Sequence, residues 1–137
     1  MRYNAAFLVP FLLFASLTPA HAVGWTQRTS PTTQALYGVA SSGPDTWVAV
    51  GDIGTIVRST NGGLTWASVS SPVGDQLRAV SFNGSIGLAV GIAGRVLRST
   101  DAGATWVEET RPTHKALYSV SFGPSFQVIT GGTDEKE

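Results

Sequence analysis

The sequence predicts an all-β protein, a partial β-propeller of four-stranded antiparallel blades, with two complete blades between a partial first and a partial last one. Three observations carry this prediction. The tract Arg58-Ser59-Thr60-Asn61-Gly62-Gly63-Leu64-Thr65-Trp66 returns forty positions later as Arg98-Ser99-Thr100-Asp101-Ala102-Gly103-Ala104-Thr105-Trp106. The same spacing extends outward, since Gly51, Gly54, Pro72, Leu77, Val80 and Phe82 match Gly91, Gly94, Pro112, Leu117, Val120 and Phe122. Between these landmarks run short apolar alternations broken by glycine, the pattern of strands and not of helices. A period of about 40 residues with a turn signal and a tryptophan in each copy marks a stacked or radial β architecture, where neighbouring units supply one another's core.

Taken in chain order, the opening segment stands apart. Arg2 is followed by an apolar run from Ala5 to Leu17 and then by Pro19-Ala20-His21-Ala22. This reads as a secretory signal peptide over residues 1–22, cleaved before Val23, because the run is short against the roughly 20 residues that span a bilayer. An uncleaved membrane anchor is the alternative. The remainder, residues 23–137, is expected to form one incomplete propeller domain. The chain has no cysteine, so packing alone must hold an exported domain together.

A first partial copy is visible where Trp25, Pro31, Leu36 and Val39 precede Trp66, Pro72, Leu77 and Val80 by 41 positions. The extra residue is expected in the loop around Gly43-Pro44-Asp45, and residues 23–28 are expected to supply one outer strand. The first complete blade then has strands at about residues 36–41, 47–51, 55–60 and 65–70. The second has them at about residues 77–82, 87–91, 95–100 and 105–109. The last copy runs through residues 117–122 and 127–131 and gives way to Thr133-Asp134-Glu135-Lys136-Glu137. Four short strands per period describe a propeller blade.

The repeated tract explains its own residues. The side chain of Asn61 or Asp101 can accept hydrogen bonds from backbone groups two residues on, and Gly63 or Gly103 can supply the positive φ of a hairpin. Trp66 or Trp106 then opens the outer strand and packs its ring on the turn. These six residues are structural, not catalytic: the spacing suits a turn, and the same tract recurs in the next blade. Arg58 and Arg98, just before it, are expected to support the hairpin.

Nine basic and nine acidic residues balance, so no bulk charge favours nucleic acid, which needs a basic excess. No nucleophile elbow is present, and neither Gly51-x-x-Gly54 nor Gly91-x-x-Gly94 continues as a P-loop. With His114 the one histidine beyond the opening segment, no metal site and no cofactor is expected. Glu108 and Glu109 cannot flank one glycosidic bond, because neighbours on a strand point to opposite faces.

What remains is a binding face. Loops from an outer strand to the next inner strand should share one end of the propeller with the Gly-x-x-Gly turns, which gathers Arg78, Arg95, Arg111, His114 and Lys115. Arg78 stands where Tyr37 and Tyr118 stand in the neighbouring copies, an aromatic setting suited to a partner's carboxylate or backbone. Solvated loop charge is the plainer reading of the same residues.

The order Leu-x-x-Val-x-Phe, Ala-Val-Gly-x-x-Gly, Arg-Ser-Thr-x-x-Gly-x-Thr-Trp resembles the blades of the photosystem II stability and assembly factor family, exported seven-bladed propellers, over about residues 24–131. The turn tract matches the Asp-box, Ser-x-Asp-x-Gly-x-Thr-Trp, with Asn61 a departure in the first copy. The resemblance implies a non-catalytic protein-binding propeller in the periplasm, the thylakoid lumen or the medium, whose partner is an unassembled photosystem II subunit. Two alternatives stay open: a fragment of a sialidase-like glycan-processing enzyme, and a truncated product without independent function. A propeller of so few blades is expected to form a homo-oligomer or to be poorly stable.

Overall fold

The computed structural model describes residues 24–132 except Pro124 and Phe126. The expected signal peptide and the final Thr133–Glu137 stretch lie outside the described residues. Ten strands form three antiparallel sheets among the described residues. Blade 1 comprises β1 (Leu36–Ser41), β2 (Trp47–Gly51), β3 (Ile56–Ser59) and β4 (Ala67–Val69) in sequential order. Blade 2 repeats this with β5 (Leu77–Asn83), β6 (Ile86–Gly91), β7 (Val96–Ser99) and β8 (Val107–Glu108). A third sheet pairs β9 (Leu117–Phe122) with β10 (Gln127–Gly131). The fold is therefore the all-β, partial propeller that the repeat predicts.

Because side chains alternate across a strand, the middle sheet presents two apolar faces, and each packs on a different neighbour. Val48, Val50 and Ile56 of blade 1 meet Leu77, Val80, Ala89, Leu97 and Trp106 of blade 2 in one buried cluster. Leu88, Val90 and Val96, from the other face of blade 2, meet Leu117 and Val120 of the third sheet, with Ile129 packed alongside. Blade 2 is thus covered on both sides.

The expected extra residue sits where the spacing change puts it. Ser41 pairs with Trp47 across five intervening residues, 42–46, whereas Phe82 pairs with Gly87 across four, 83–86. Two expectations fail at the edges. Residues 24–30 form no strand, and Trp25 is fully exposed; no neighbouring strand lies there to pair with them. The tryptophans precede their outer strands instead of opening them: β4 begins at Ala67 and β8 at Val107. The indole of each is instead held in the turn, where Trp66 Nε1 donates to the Gly63 carbonyl and Trp106 Nε1 to the Gly103 carbonyl, both at 3.1 Å.

The Asp-box turn is organised by the serine two positions before Asn61 or Asp101. The hydroxyl of Ser99, 1% exposed, accepts from the Gly103 amide at 2.8 Å and donates to Asp101 Oδ1 at 2.8 Å. Ser59 repeats both bonds, with the Gly63 amide and Asn61 Oδ1, each at 2.9 Å. The acceptor oxygens of Asn61 and Asp101 reach four residues on and not two, to the Thr65 and Thr105 amides at 2.9 Å, because the serine hydroxyl already takes the Gly63 or Gly103 amide. An asparagine serves as well as an aspartate because its Nδ2 donates to Thr65 Oγ1, while Thr105 Oγ1 donates to Asp101 Oδ2. Gly63 and Gly103 take the expected positive φ, 82° and 79°. Arg58 does not brace its own hairpin: its Nε donates across the blade boundary to the Ala102 carbonyl at 2.9 Å.

Candidate functional site

The opposite end of the blades carries the candidate site. There the β2–β3 and β6–β7 turns hold Gly54 and Gly94 at φ 65° and 70°. A Cβ on either would strike the connector from the preceding outer strand, 1.9 Å from the Val73 carbonyl oxygen and 1.7 Å from that of Thr113. Only glycine lets the connectors lie this close. They therefore share one end with the Gly-x-x-Gly turns, as the up-and-down connectivity requires.

Each turn is also tied to the start of its own inner strand. The Asp52 amide donates to the Ala35 carbonyl at 2.9 Å, Ile92 to Gln76 at 3.0 Å and Gly132 to Ala116 at 2.9 Å. One residue beyond that tie, every inner strand slips its register. Leu36 pairs with Gly51 but Gly38 with Val50; Leu77 pairs with Gly91 but Ala79 with Val90; Leu117 pairs with Gly131 but Ser119 with Thr130. The residues skipped are Tyr37, Arg78 and Tyr118. A bulge of this kind leaves one residue unpaired and re-aims its side chain.

The three bulges stand side by side on adjacent inner strands, and their side chains form a row. The Arg78 guanidinium carbon lies 5.2 Å from the Tyr37 ring centroid and 5.7 Å from that of Tyr118. Both distances suit a cation–π contact. Tyr37 and Tyr118 are exposed, while Arg78 is half-buried and its Nε, shut off from solvent, donates no hydrogen bond. Asp52 closes one side of the row, accepting from Tyr37 Oη at 3.3 Å and from Gln76 Nε2 at 2.5 Å.

The other cations of this end are differently placed. Arg95 is fastened between two carboxylates, with Nε 2.5 Å from Asp75 Oδ2 and an Nη 2.5 Å from Glu108 Oε1. Arg111 Nε reaches the same Glu108 oxygen at 3.2 Å. The hydrogen bond from Arg95, with a smaller one from Arg111, holds the Glu108 carboxyl below its ordinary range, and the Glu108 and Asp75 carboxylates raise Arg95 in turn. Arg95 and Arg111 thus fix a connector to a blade, a use that sequence could not show because Asp75, Arg95 and Glu108 lie on three segments. His114 and Lys115 are exposed on the connector before β9, where the Lys115 amide donates to Thr113 Oγ1 at 3.1 Å.

Among the described residues, no cluster of three or more His, Cys, Asp or Glu side chains could hold a metal ion, and no helix is long and apolar enough to cross a membrane. Chemically, the row offers one desolvated guanidinium donor between two rings, an anion receptor more than a reaction centre. A sialidase site needs several converging arginines, and here one arginine stands between the tyrosines while two are bound to carboxylates.

Among the solved structures that share the fold, two illustrate the likeness. One, described as "YCF48 bound to D1 peptide", superposes with a TM-score of 0.65 at 22% identity, over 74% of this chain and 35% of that one. The other, YCF48 from Cyanidioschyzon merolae, gives 0.67 at 26% identity, over 78% of this chain and 34% of that one. The chain therefore spans about a third of the length of each. No curated protein matches the sequence. Residues 17–114, which include both Asp-box blades and the connector between them, match the family described as Photosynthesis system II assembly factor YCF48, and the chain belongs to that family.

Proposed function

We propose that the chain is a non-catalytic docking protein for photosystem II assembly, and that Arg78 between Tyr37 and Tyr118 receives a carboxylate of an unassembled subunit. The observation that carries this is the Arg78 Nε, buried without a hydrogen-bond partner while the guanidinium is held between two rings. A carboxylate is the natural complement of a planar guanidinium, and the flanking rings fix the side chain before the ligand arrives, which lowers the entropic cost of binding. The related YCF48 structure with a D1 peptide supports a peptide as the bearer of that carboxylate. Lys115 and Arg111, on the neighbouring connector, would attract an acidic segment toward the row. The apolar opening of the sequence supports export to the lumenal side of the photosynthetic membrane.

Anisotropy of a fluorescent D1-derived peptide with a free C-terminus tests this reading. Arg78→Gln should weaken binding by about ten- to a hundredfold, the scale of a lost charged hydrogen bond of roughly 1.5–3 kcal/mol. Tyr37→Phe and Tyr118→Phe, which keep the rings, should bind nearly as the wild type. Equal binding by wild type and Arg78→Gln would refute the site, and turnover of a chromogenic sialoside would refute the non-catalytic reading.

A further inference from the structure

The two blades differ beside the row. In blade 2, Asp75, Arg95, Glu108 and Arg111 join in one network of ion pairs. The repeat places Gln34, Thr55, Ser68 and Ser71 at the matching positions of blade 1, and all four are neutral. There the structure holds an open groove of about 340 Å³, lined by Thr32, Ile53, Thr55, Ser68, Ser71 and Val73. Each arrangement is built from one blade and the connectors before and after it. The difference therefore lies in the side chains of those segments and involves no neighbouring sheet.

Ile53 is the unusual residue of that wall. Its φ of 52° is a left-handed conformation that a β-branched side chain rarely adopts, and it is 67% exposed. The matching turn of blade 2 has Ala93 at φ 54° and closes on the same bond, from the Arg95 amide to the Ile92 carbonyl at 3.2 Å, against Thr55 to Asp52 at 2.9 Å. The turn thus needs no large side chain. Ile53 belongs to neither buried cluster, so the core does not account for it, and backbone strain kept without a packing reason points to binding. Its chain neighbour Asp52 accepts from Tyr37 Oη and from Gln76 Nε2. Ile53 therefore links the row to the groove.

On the reading of Arg78 as a carboxylate receptor, on which this inference rests, we propose that the groove of blade 1 receives the extended segment preceding a peptide's C-terminal carboxylate. The carboxylate sits at Arg78, an apolar side chain of the peptide packs on Ile53, and the backbone runs on between Thr55 and Ser68. The neutral, hydroxyl-bearing walls suit peptide groups, which need hydrogen-bond partners and no counter-ion. A charged residue of the peptide at this point would lose hydration without a partner, because the ion-pairing groups of blade 2 are replaced here by neutral ones. Blade 2 cannot serve in the same way, since its own ion pairs occupy the position.

Anisotropy of two fluorescent D1-derived peptides with a free C-terminus tests this, one of roughly three residues and one of roughly ten, spanning about 10 and 33 Å when extended. The longer should bind the wild type more tightly. Ile53→Gly should weaken the longer peptide by about tenfold, the scale of one apolar side chain left unburied, and leave the shorter unchanged. Glycine takes a positive φ without strain, so this variant should melt no lower than the wild type, a split that a structural role for Ile53 would not give. The triple variant Gln34→Asp, Thr55→Arg, Ser68→Glu, which copies the ion pairs of blade 2 into the groove, should likewise weaken only the longer peptide. Arg78→Gln should weaken both. Equal affinity of the wild type for the two peptides, groove variants that bind the longer one as the wild type does, or groove variants that weaken both alike would overturn the proposal and leave the row standing. If Arg78→Gln weakens neither peptide, the row itself fails and the groove reading with it.

Discussion

Gly63 and Gly103 sit in the same corner of the same turn with φ of 82° and 79°, yet they face different surroundings. A Cβ on Gly63 would find its nearest neighbour at 3.8 Å, in the ring of Trp66, whereas on Gly103 it would fall 2.5 Å from a methyl of Val48 in the adjacent blade. Backbone strain is common to both, so Gly63→Ala should cost about 1 kcal/mol and Gly103→Ala some 1–3 kcal/mol more from overpacking. Urea denaturation of the two variants isolates the blade contact from the turn. Ser99 offers a second residue-level test. Its hydroxyl serves the buried Gly103 amide, so Ser99→Ala should destabilise by about 1–3 kcal/mol. Asp101 sets a pH dependence: hydrogen bonds from the Thr105 hydroxyl first, then the Thr105 amide and Ser99, lower its pKa from 3.8 to about 2. A depressed carboxyl contributes stability above its unfolded value and loses it as pH falls through the folded one. Stability should therefore decline between about pH 4 and pH 2, together with the contribution of Glu108, whose pKa is also lowered. Asp101→Asn, which copies the bonds Asn61 already makes, should flatten that decline in urea titrations across the acid range while leaving stability at neutral pH nearly unchanged.

At the level of elements, inner and second strands were legible because their alternation is long enough to identify. Leu36–Ser41, Trp47–Gly51, Leu117–Phe122 and Gln127–Gly131 follow directly from it. Outer strands are shorter than the alternation suggests, down to two residues in β8, because the indole of the Asp-box takes the place of the first strand residue. The bulges at Tyr37, Arg78 and Tyr118 were not legible. A bulge is a mismatch between two strands, and alternation within one strand carries no information about its partner's register. The aligned Tyr, Arg and Tyr could be seen in the repeat, but not the geometry that turns them into one row. Ser59 and Ser99 were passed over for a similar reason: a small polar residue at the end of a strand resembles an ordinary turn position until its hydroxyl is found buried. The sheets should also differ in mobility. The β9–β10 sheet has two strands among the described residues, so its amides should exchange with deuterium well before those of β5 and β6.

Across the whole molecule, stability is concentrated in the middle blade. Leu77 is fully buried between sheets, whereas Leu36, its equivalent one blade earlier, is 40% exposed. Leu77→Ala should cost about 2–5 kcal/mol and Leu36→Ala well under half of that, measured by thermal or urea unfolding. Similar losses at both positions would mean that the face around Leu36 is covered in solution. The row at Arg78 is likewise a property of the assembled stack. Tyr37, Arg78 and Tyr118 come from three sheets, so no single blade can display it, and a chain with one blade misplaced lacks it altogether. A ligand held there would act as a gauge of tertiary order: it would sample only correctly stacked chains, and by mass action draw others toward that state. If the row binds a ligand, recognition and conformational proofreading would be one equilibrium, in which the ligand inspects the fold.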